Sequence, residues 1–200
     1  MPDPYTLTLP ITRAKLASLR AGDEVMLSGP VYTARDATHA RLVAEIAAHG
    51  GVLPYGLDGQ TLFYAGPTPP AAMRPAGSVG PTTAKRMDAW TPPLLLAGIV
   101  AAIGKGVRSE SVREAFASTG SVYFAAVGGS AALLATRVSA STPVAYPDLG
   151  TEALVRLDLV DFPVVVAIDS CGNDLYAQAA SEWRRALAAF DTAQQNGDPR

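Results

Sequence analysis

Apolar side chains recur at helical spacing in several stretches of the chain. After Asp36, which stands where a helix N-cap is expected, Ala37, Ala40, Val43, Ile46 and Ala47 share one face, and Gly50-Gly51 closes the segment. Ser109 to Ala117 repeats that amphipathic period, with Gly120 behind it. Trp183, Leu187 and Phe190 form one stripe, which predicts a last helix over about Ala177 to Phe190. Thr12 to Leu19 predicts a short helix that stops before Gly22, and Leu94 to Ala102 an apolar helix ending at Gly104. Gly80-Pro81 in front of Thr82 to Trp90 predicts another short helix.

Other stretches read as strands. Tyr5 to Pro10 alternates like an edge strand; Val25 to Ser28 and Val31 to Thr33 are two pieces broken by Gly29-Pro30. Leu62 to Gly66 and Val122 to Val127 are short and apolar, the second followed by Gly128-Gly129 and a small-residue helix. Leu154 to Leu159 alternates, Val164 to Ile168 is continuously apolar, and Cys171-Gly172-Asn173 is a turn. Pro67 to Pro75 reads as a surface loop, and the final QQNGDPR as a frayed tail. Helices and strands are intermixed, which predicts an α/β or α+β domain with more than one layer.

Composition narrows the classes. The chain has 200 residues, enough for one domain with a substantial core. Its 48% hydrophobic and 17% charged residues exclude a disordered chain. No apolar run reaches the roughly 18 residues of a spanning helix. A net charge of −2 argues against nonspecific nucleic-acid binding. A single cysteine, Cys171, forms no internal disulfide, and with two histidines it builds neither a structural zinc site nor an iron–sulfur cluster. MPDPYTLTLP has no basic stretch before an apolar core, so a cytoplasmic location is expected.

Candidate chemistry collects in four segments. In YTARDATH, Arg35 sits where a strand meets a helix and His39 lies one turn on; a cation there either reaches into a cleft or pairs with an acid while the imidazole packs. In GPTTAKRMD, Gly80-Pro81 is followed by the hydroxyls of Thr82 and Thr83 and then Arg86. On a helix, Thr82 and Arg86 share a face, and a hydroxyl beside a guanidinium suits a carboxylate or phosphate. The alternative is an ordinary capped helix with a surface arginine. IGKG places Lys105 between two glycines but lacks the spacing of a phosphate loop. Only Lys15, Lys85 and Lys105 of the 16 basic residues are lysines. VGGSAALLA reads as tight helix packing, His49 as a helix C-terminal residue, and Cys171 as incidental. The sum is an anion site of cations and a hydroxyl with neither electrophile nor metal, so catalysis on this chain alone looks incomplete.

Taken in order, GDEVMLSGPVYTARDATH, YAGP, GPTTAKRMD, IGKG, YFAAVGGSAALLA and LGTEALVRLDLVDFPVVVAIDSCGNDLY resemble the C-terminal domain of class I fumarases. That domain also occurs as a separate chain, the beta subunit of two-subunit fumarases and of L(+)-tartrate dehydratase. The resemblance implies a swivelling β/β/α three-layer α/β domain, with mixed sheets and flanking helices, over residues 1–176; 177–200 would be a helical extension and tail. It implies an iron–sulfur hydro-lyase that hydrates fumarate to malate reversibly, or acts on tartrate or another hydroxy diacid. No cofactor is expected on this chain; a [4Fe-4S] cluster is expected on a partner alpha subunit, in a homodimeric or two-alpha, two-beta assembly. By motif position, Arg35, Arg86 and Lys105 would bind the dicarboxylate and Thr82 would transfer a proton. Asp36, His39 and Thr83 would support them. A stand-alone anion-binding domain is the reading of a different class. The sequence departs from the family at Val107-Arg108-Ser109 after IGKG, at Cys171, and in the length of its C-terminal helix.

Overall fold

The computed structural model describes residues 4–195. Seven strands, β1 (Tyr5–Thr8), β2 (Glu24–Thr33), β3 (Thr61–Phe63), β4 (Ala101–Gly104), β5 (Val122–Ala125), β6 (Val138–Ala145) and β7 (Leu154–Ile168), form one mixed sheet. Its order is β1-β2-β3-β4-β5-β7-β6, and a further pairing of β2 with β7 closes five of the strands into a barrel. Strands β2 to β5 run parallel, while β7 runs antiparallel to both β2 and β5. Two long strands make closure possible. The start of β2 pairs with β1 and its end with β3, while its other edge follows β7 from Glu24–Val165 to Thr33–Val155.

Strands β3, β4 and β5 are buried on both faces, so they read as apolar runs rather than alternating ones. Their side chains still divide with period two. Phe63, Ala101, Ile103, Val122 and Phe124 point into the barrel core with Leu27, Val31 and Phe162. Leu62, Ala102 and Tyr123 point outward, under Leu42, Leu94, Leu95 and Phe116. Those outer residues come from helices α2 (Asp36–Ala48), α3 (Thr91–Ala97) and α4 (Glu110–Thr119). Among the described residues the other α-helices are α1 (Arg13–Leu16), α5 (Ala131–Ala135) and α6 (Leu175–Gln195), and Pro147–Glu152 forms 3₁₀ turns.

Several sequence expectations need correction. Leu94 to Ala102 is not one helix. Gly98 leaves α3 at φ 131°, and the next residues become β4, buried between β3 and β5. Gly29-Pro30 does not break β2; the register shift against β7 absorbs it, with Gly29 at φ 113°. Asp36 is the first helical residue rather than the cap, which is Arg35. Thr82 to Trp90 is not a helix. Thr83 makes a parallel bridge with Lys105, and only Ala84–Met87 coils, as a 3₁₀ turn. Strand β6 was not expected, and the two predicted C-terminal strands are one, β7. The last helix starts at Leu175, two residues before the predicted extension, and takes in Gln194 and Gln195 of the predicted tail; the rest of that tail lies outside the described residues.

Candidate functional site

The sheet decides where the polar segments meet. Parallel strands leave all their C-terminal ends on one rim, the end where open α/β sheets bind ligands. Arg35 follows β2, Tyr64 to Gly66 follow β3, Lys105 follows β4, and Val127 to Gly129 follow β5. Contacts between these loops are tight. A Cβ at Gly66 would lie 3.0 Å from Arg35 Cδ, and one at Gly128 would lie 3.4 Å from Lys105 Nζ.

GPTT joins this rim as extra backbone rather than as a helix. Thr82 N donates to Tyr64 O at 2.7 Å, Lys105 N donates to Thr82 O at 3.2 Å, and Ala84 N donates to Lys105 O at 2.9 Å. The N–H groups of Thr82 and Ala84 are therefore spent on the fold, which removes most of the expected helix-start anion site. The shared helical face of Thr82 and Arg86 is lost with it. What the arrangement does instead is set Thr82 and Thr83 directly beside Lys105. Among the described residues, the Thr82 hydroxyl and the Lys105 ammonium carry no hydrogen bond or ion pair, so both are open to a ligand. Thr83 is exposed at the start of the 3₁₀ turn.

The two arginines are held by carboxylates. Arg86 donates to Asp36 through Nε at 3.0 Å and through a terminal amino group at 2.6 Å, a fork-on-carboxylate geometry that ties GPTT to the RDA segment. Its other amino group stays free. Arg35 lies 3.3 Å from Glu152, which arrives from the segment between β6 and β7. The Arg35 Nε–H is buried without an acceptor.

His39 is fully buried, edge-on to Tyr64 with ring centroids 5.0 Å apart. Its Nδ1 faces Arg35 O at 2.8 Å, so Nδ1 carries the hydrogen and Nε2 is left as a bare, unpartnered acceptor. Burial lowers its pKa to about 4 and keeps the ring neutral. It holds the Arg35 backbone and does not present a proton to the rim.

Behind Lys105 lies a network that sequence reasoning passed over. Arg108, with no side-chain exposure, donates to Asp88 at 2.7 Å and to Thr91 Oγ1 at 2.7 Å. Its guanidinium lies 5.1 to 5.3 Å from the ring centres of Tyr123 and Tyr64 and 5.9 Å from that of Phe116. Asp88 also accepts from Ser109 N at 2.7 Å. Burial pushes the Tyr123 phenol up, so it stays a donor, to Gly106 O at 3.2 Å, while Tyr176 OH accepts from Gly106 N at 3.3 Å. The loop carrying Lys105 is thereby fixed on both sides. The only local hint was an arginine just past the IGKG loop; for Glu152 there was none.

This end of the barrel thus carries Lys105, a free hydroxyl, and two arginines that are each paired with a carboxylate. Cys171 is exposed in its turn, and among the described residues no group of three or more His, Cys, Asp or Glu could hold a metal. Likewise no helix of the described residues is long and apolar enough to cross a membrane.

Several known proteins are similar to this chain. The family described as "Fumarase C-terminus" matches residues 4–179. The anaerobic class I fumarate hydratase of Escherichia coli is 36% identical over 171 residues, which is 84% of this chain and 31% of that protein. Fumarate hydratase 2 of Leishmania major is 36% identical over 168 residues, 83% of this chain and 29% of that protein. A putative L(+)-tartrate dehydratase subunit beta of Methanocaldococcus jannaschii is 37% identical over 178 residues, 84% of this chain and 89% of that protein. The chain therefore spans about a third of the fumarate hydratases it matches and nearly all of the beta subunit.

Proposed function

Because the chain belongs to the fumarase C-terminal family, we propose that it is the beta subunit of an iron–sulfur hydro-lyase and hydrates fumarate to malate only together with an alpha subunit. The observation that supports this reading is that the RDA, GPTT and IGKG segments touch: Arg86 holds Asp36, and Thr82 and Ala84 bond to Lys105 through the backbone. The closed barrel with helices on its outer face supports the swivelling β/β/α assignment. One domain over 1–176 with 177–200 as an extension fits a family match that ends at residue 179. A cytoplasmic location and a homodimer or a two-alpha, two-beta assembly complete the proposal.

In this reading the substrate's two carboxylates are shared between Arg35 and the pair Arg86 and Lys105. Arg86 offers the amino group that Asp36 leaves free, and Lys105 offers a point charge. Thr82 holds or takes up the proton at the carbon beside one carboxylate. A threonine hydroxyl is a weak base at its ordinary pKa, so it needs activation by a neighbour such as Arg86 or by a group from the alpha subunit. The same cations stabilise the negative charge that builds on the adjacent carboxylate as that carbon loses its proton. His39 and Asp36 fix Arg35 and Arg86, and Thr83 sets the bridge to Lys105. The cluster's thiolates cannot come from a chain whose one cysteine is Cys171, so the cluster is assigned to the alpha subunit.

Tartrate or another hydroxy diacid is the second substrate reading, favoured by the 89% coverage of the tartrate dehydratase beta subunit. The test is an anaerobic assay of the chain, alone and co-expressed with its alpha partner, on fumarate, malate and tartrate. Turnover is expected only in the complex. In Arg86→Ala it is expected to vanish while fold and assembly persist. Wild-type turnover by Arg86→Ala would overturn the site; a loaded complex that turns over none of the three would favour the anion-binding domain.

A further inference from the structure

A guanidinium at the end of a long side chain is not aimed by its backbone alone. Glu152 surrounds the Arg35 segment at three points. Its Oε1 lies 3.3 Å from an Arg35 amino group, its Oε2 accepts from Ala37 N at 3.0 Å, and its backbone oxygen accepts from the Thr38 hydroxyl. On the other side of the Arg35 stem stands Gly66, whose Cβ, if it had one, would lie 2.8 Å from Thr151 O and 3.1 Å from an Arg35 amino group. Arg35 is thus threaded between the β3 loop and the segment carrying Glu152. Both partners are about a quarter exposed, at 25% and 23%, so solvent reaches the pair.

We infer that Glu152 is a positioning residue for Arg35: it engages one amino group of the guanidinium and so aims the other toward the rim. The inference rests on the proposal that Arg35 binds a substrate carboxylate. Charge alone predicts the opposite behaviour. A carboxylate beside a site for a di-anion repels the ligand, so removing its charge would tighten binding. Only an orienting role makes the loss of that charge harmful. Glu152→Gln keeps an oxygen for Ala37 N, so the helix start stays tied while the charged partner of Arg35 is gone.

The experiment has two arms. In the assembled complex, Glu152→Gln is expected to raise the KM for the diacid about tenfold, the size of one hydrogen bond to a charged group, with a smaller change in kcat. Glu152→Asp should fall between it and wild type, and Arg35→Ala/Glu152→Gln should be no worse than Arg35→Ala. An unchanged or lowered KM, or additive single effects, would overturn the inference. In the full chain without its partner, the Arg35 Nε–H signal in a nitrogen–proton NMR spectrum, identified by its loss in Arg35→Lys, should stand apart from those of exposed arginines and join them in Glu152→Gln. A signal that does not move would overturn the inference independently. If the wild-type complex turns over no diacid, the functional proposal fails while the NMR arm still decides this one.

Discussion

Replacing Arg108 by alanine tests whether the network behind Lys105 holds the domain together. The side chain is wholly buried, and its bonds to Asp88 and Thr91 are each 2.7 Å long. Alanine would leave Asp88, whose side chain is 14% exposed, with Ser109 N as its remaining donor. It would also empty the space between the rings of Tyr64, Tyr123 and Phe116. Thr91 and Tyr64 keep each other at 3.2 Å, so they suffer less. Breaking one side of a buried pair costs about 3–5 kcal/mol. With a urea slope near 3 kcal/mol per molar for a chain of this size, the unfolding midpoint should fall by about 1 M or more. Trp90 fluorescence in a urea titration would follow it. Arg108→Lys, which keeps charge but loses the planar fork, should lie between alanine and wild type. Asp88→Asn and Arg108→Ala remove the same interaction, so the double variant should cost far less than the sum. A loss under about 1 kcal/mol, or additive singles, would refute this account.

Two further outcomes follow from the geometry. The imidazole of His39 has its pKa lowered from 6.5 to about 4, chiefly by burial. Between those values the unfolded chain takes up a proton that the folded chain refuses, so stability present above pH 6.5 is lost as pH falls toward 4, by roughly 3 kcal/mol; parallel stability curves for wild type and His39→Gln would contradict this. Gly66→Ala puts a methyl 2.8 Å from Thr151 O, and that crowding should cost about 1–3 kcal/mol, lowering the melting temperature by several degrees and weakening diacid binding through Arg35; an unchanged melting temperature would show that the loop gives way freely.

What the sequence revealed depended on how local the cause was. The spacing after Asp36 and after Ser109 marked α2 and α4, because one face of each is packed and the other is wet. The run from Leu94 to Ala102 was opaque, since a buried parallel strand and a buried helix are equally apolar; Gly98 was the one usable sign of the break. Thr82 and Thr83 looked like helix-start residues, yet they were drawn straight by pairing with Lys105, a partner more than twenty residues away. The order of RDA, GPTT and IGKG marked which residues to watch, while their meeting followed from strand direction. Glu152 and Arg108 act over long separations, Glu152 on Arg35 and Arg108 on Asp88 and Tyr64, and no local pattern announces such partners.

Closure by β7 also has a consequence during synthesis. A ribosome delivers β2 to β5 long before Leu154–Ile168, the strand that seals both β2 and β5. Until that strand emerges, the nascent chain can form at most a parallel sheet whose outer strands have open hydrogen-bonding edges, the arrangement most prone to joining a neighbouring copy. Glu24 and Val165 must also find each other across most of the chain, which makes folding slow by topology. The half-made protein is therefore most exposed to aggregation in the interval before its last strand is released.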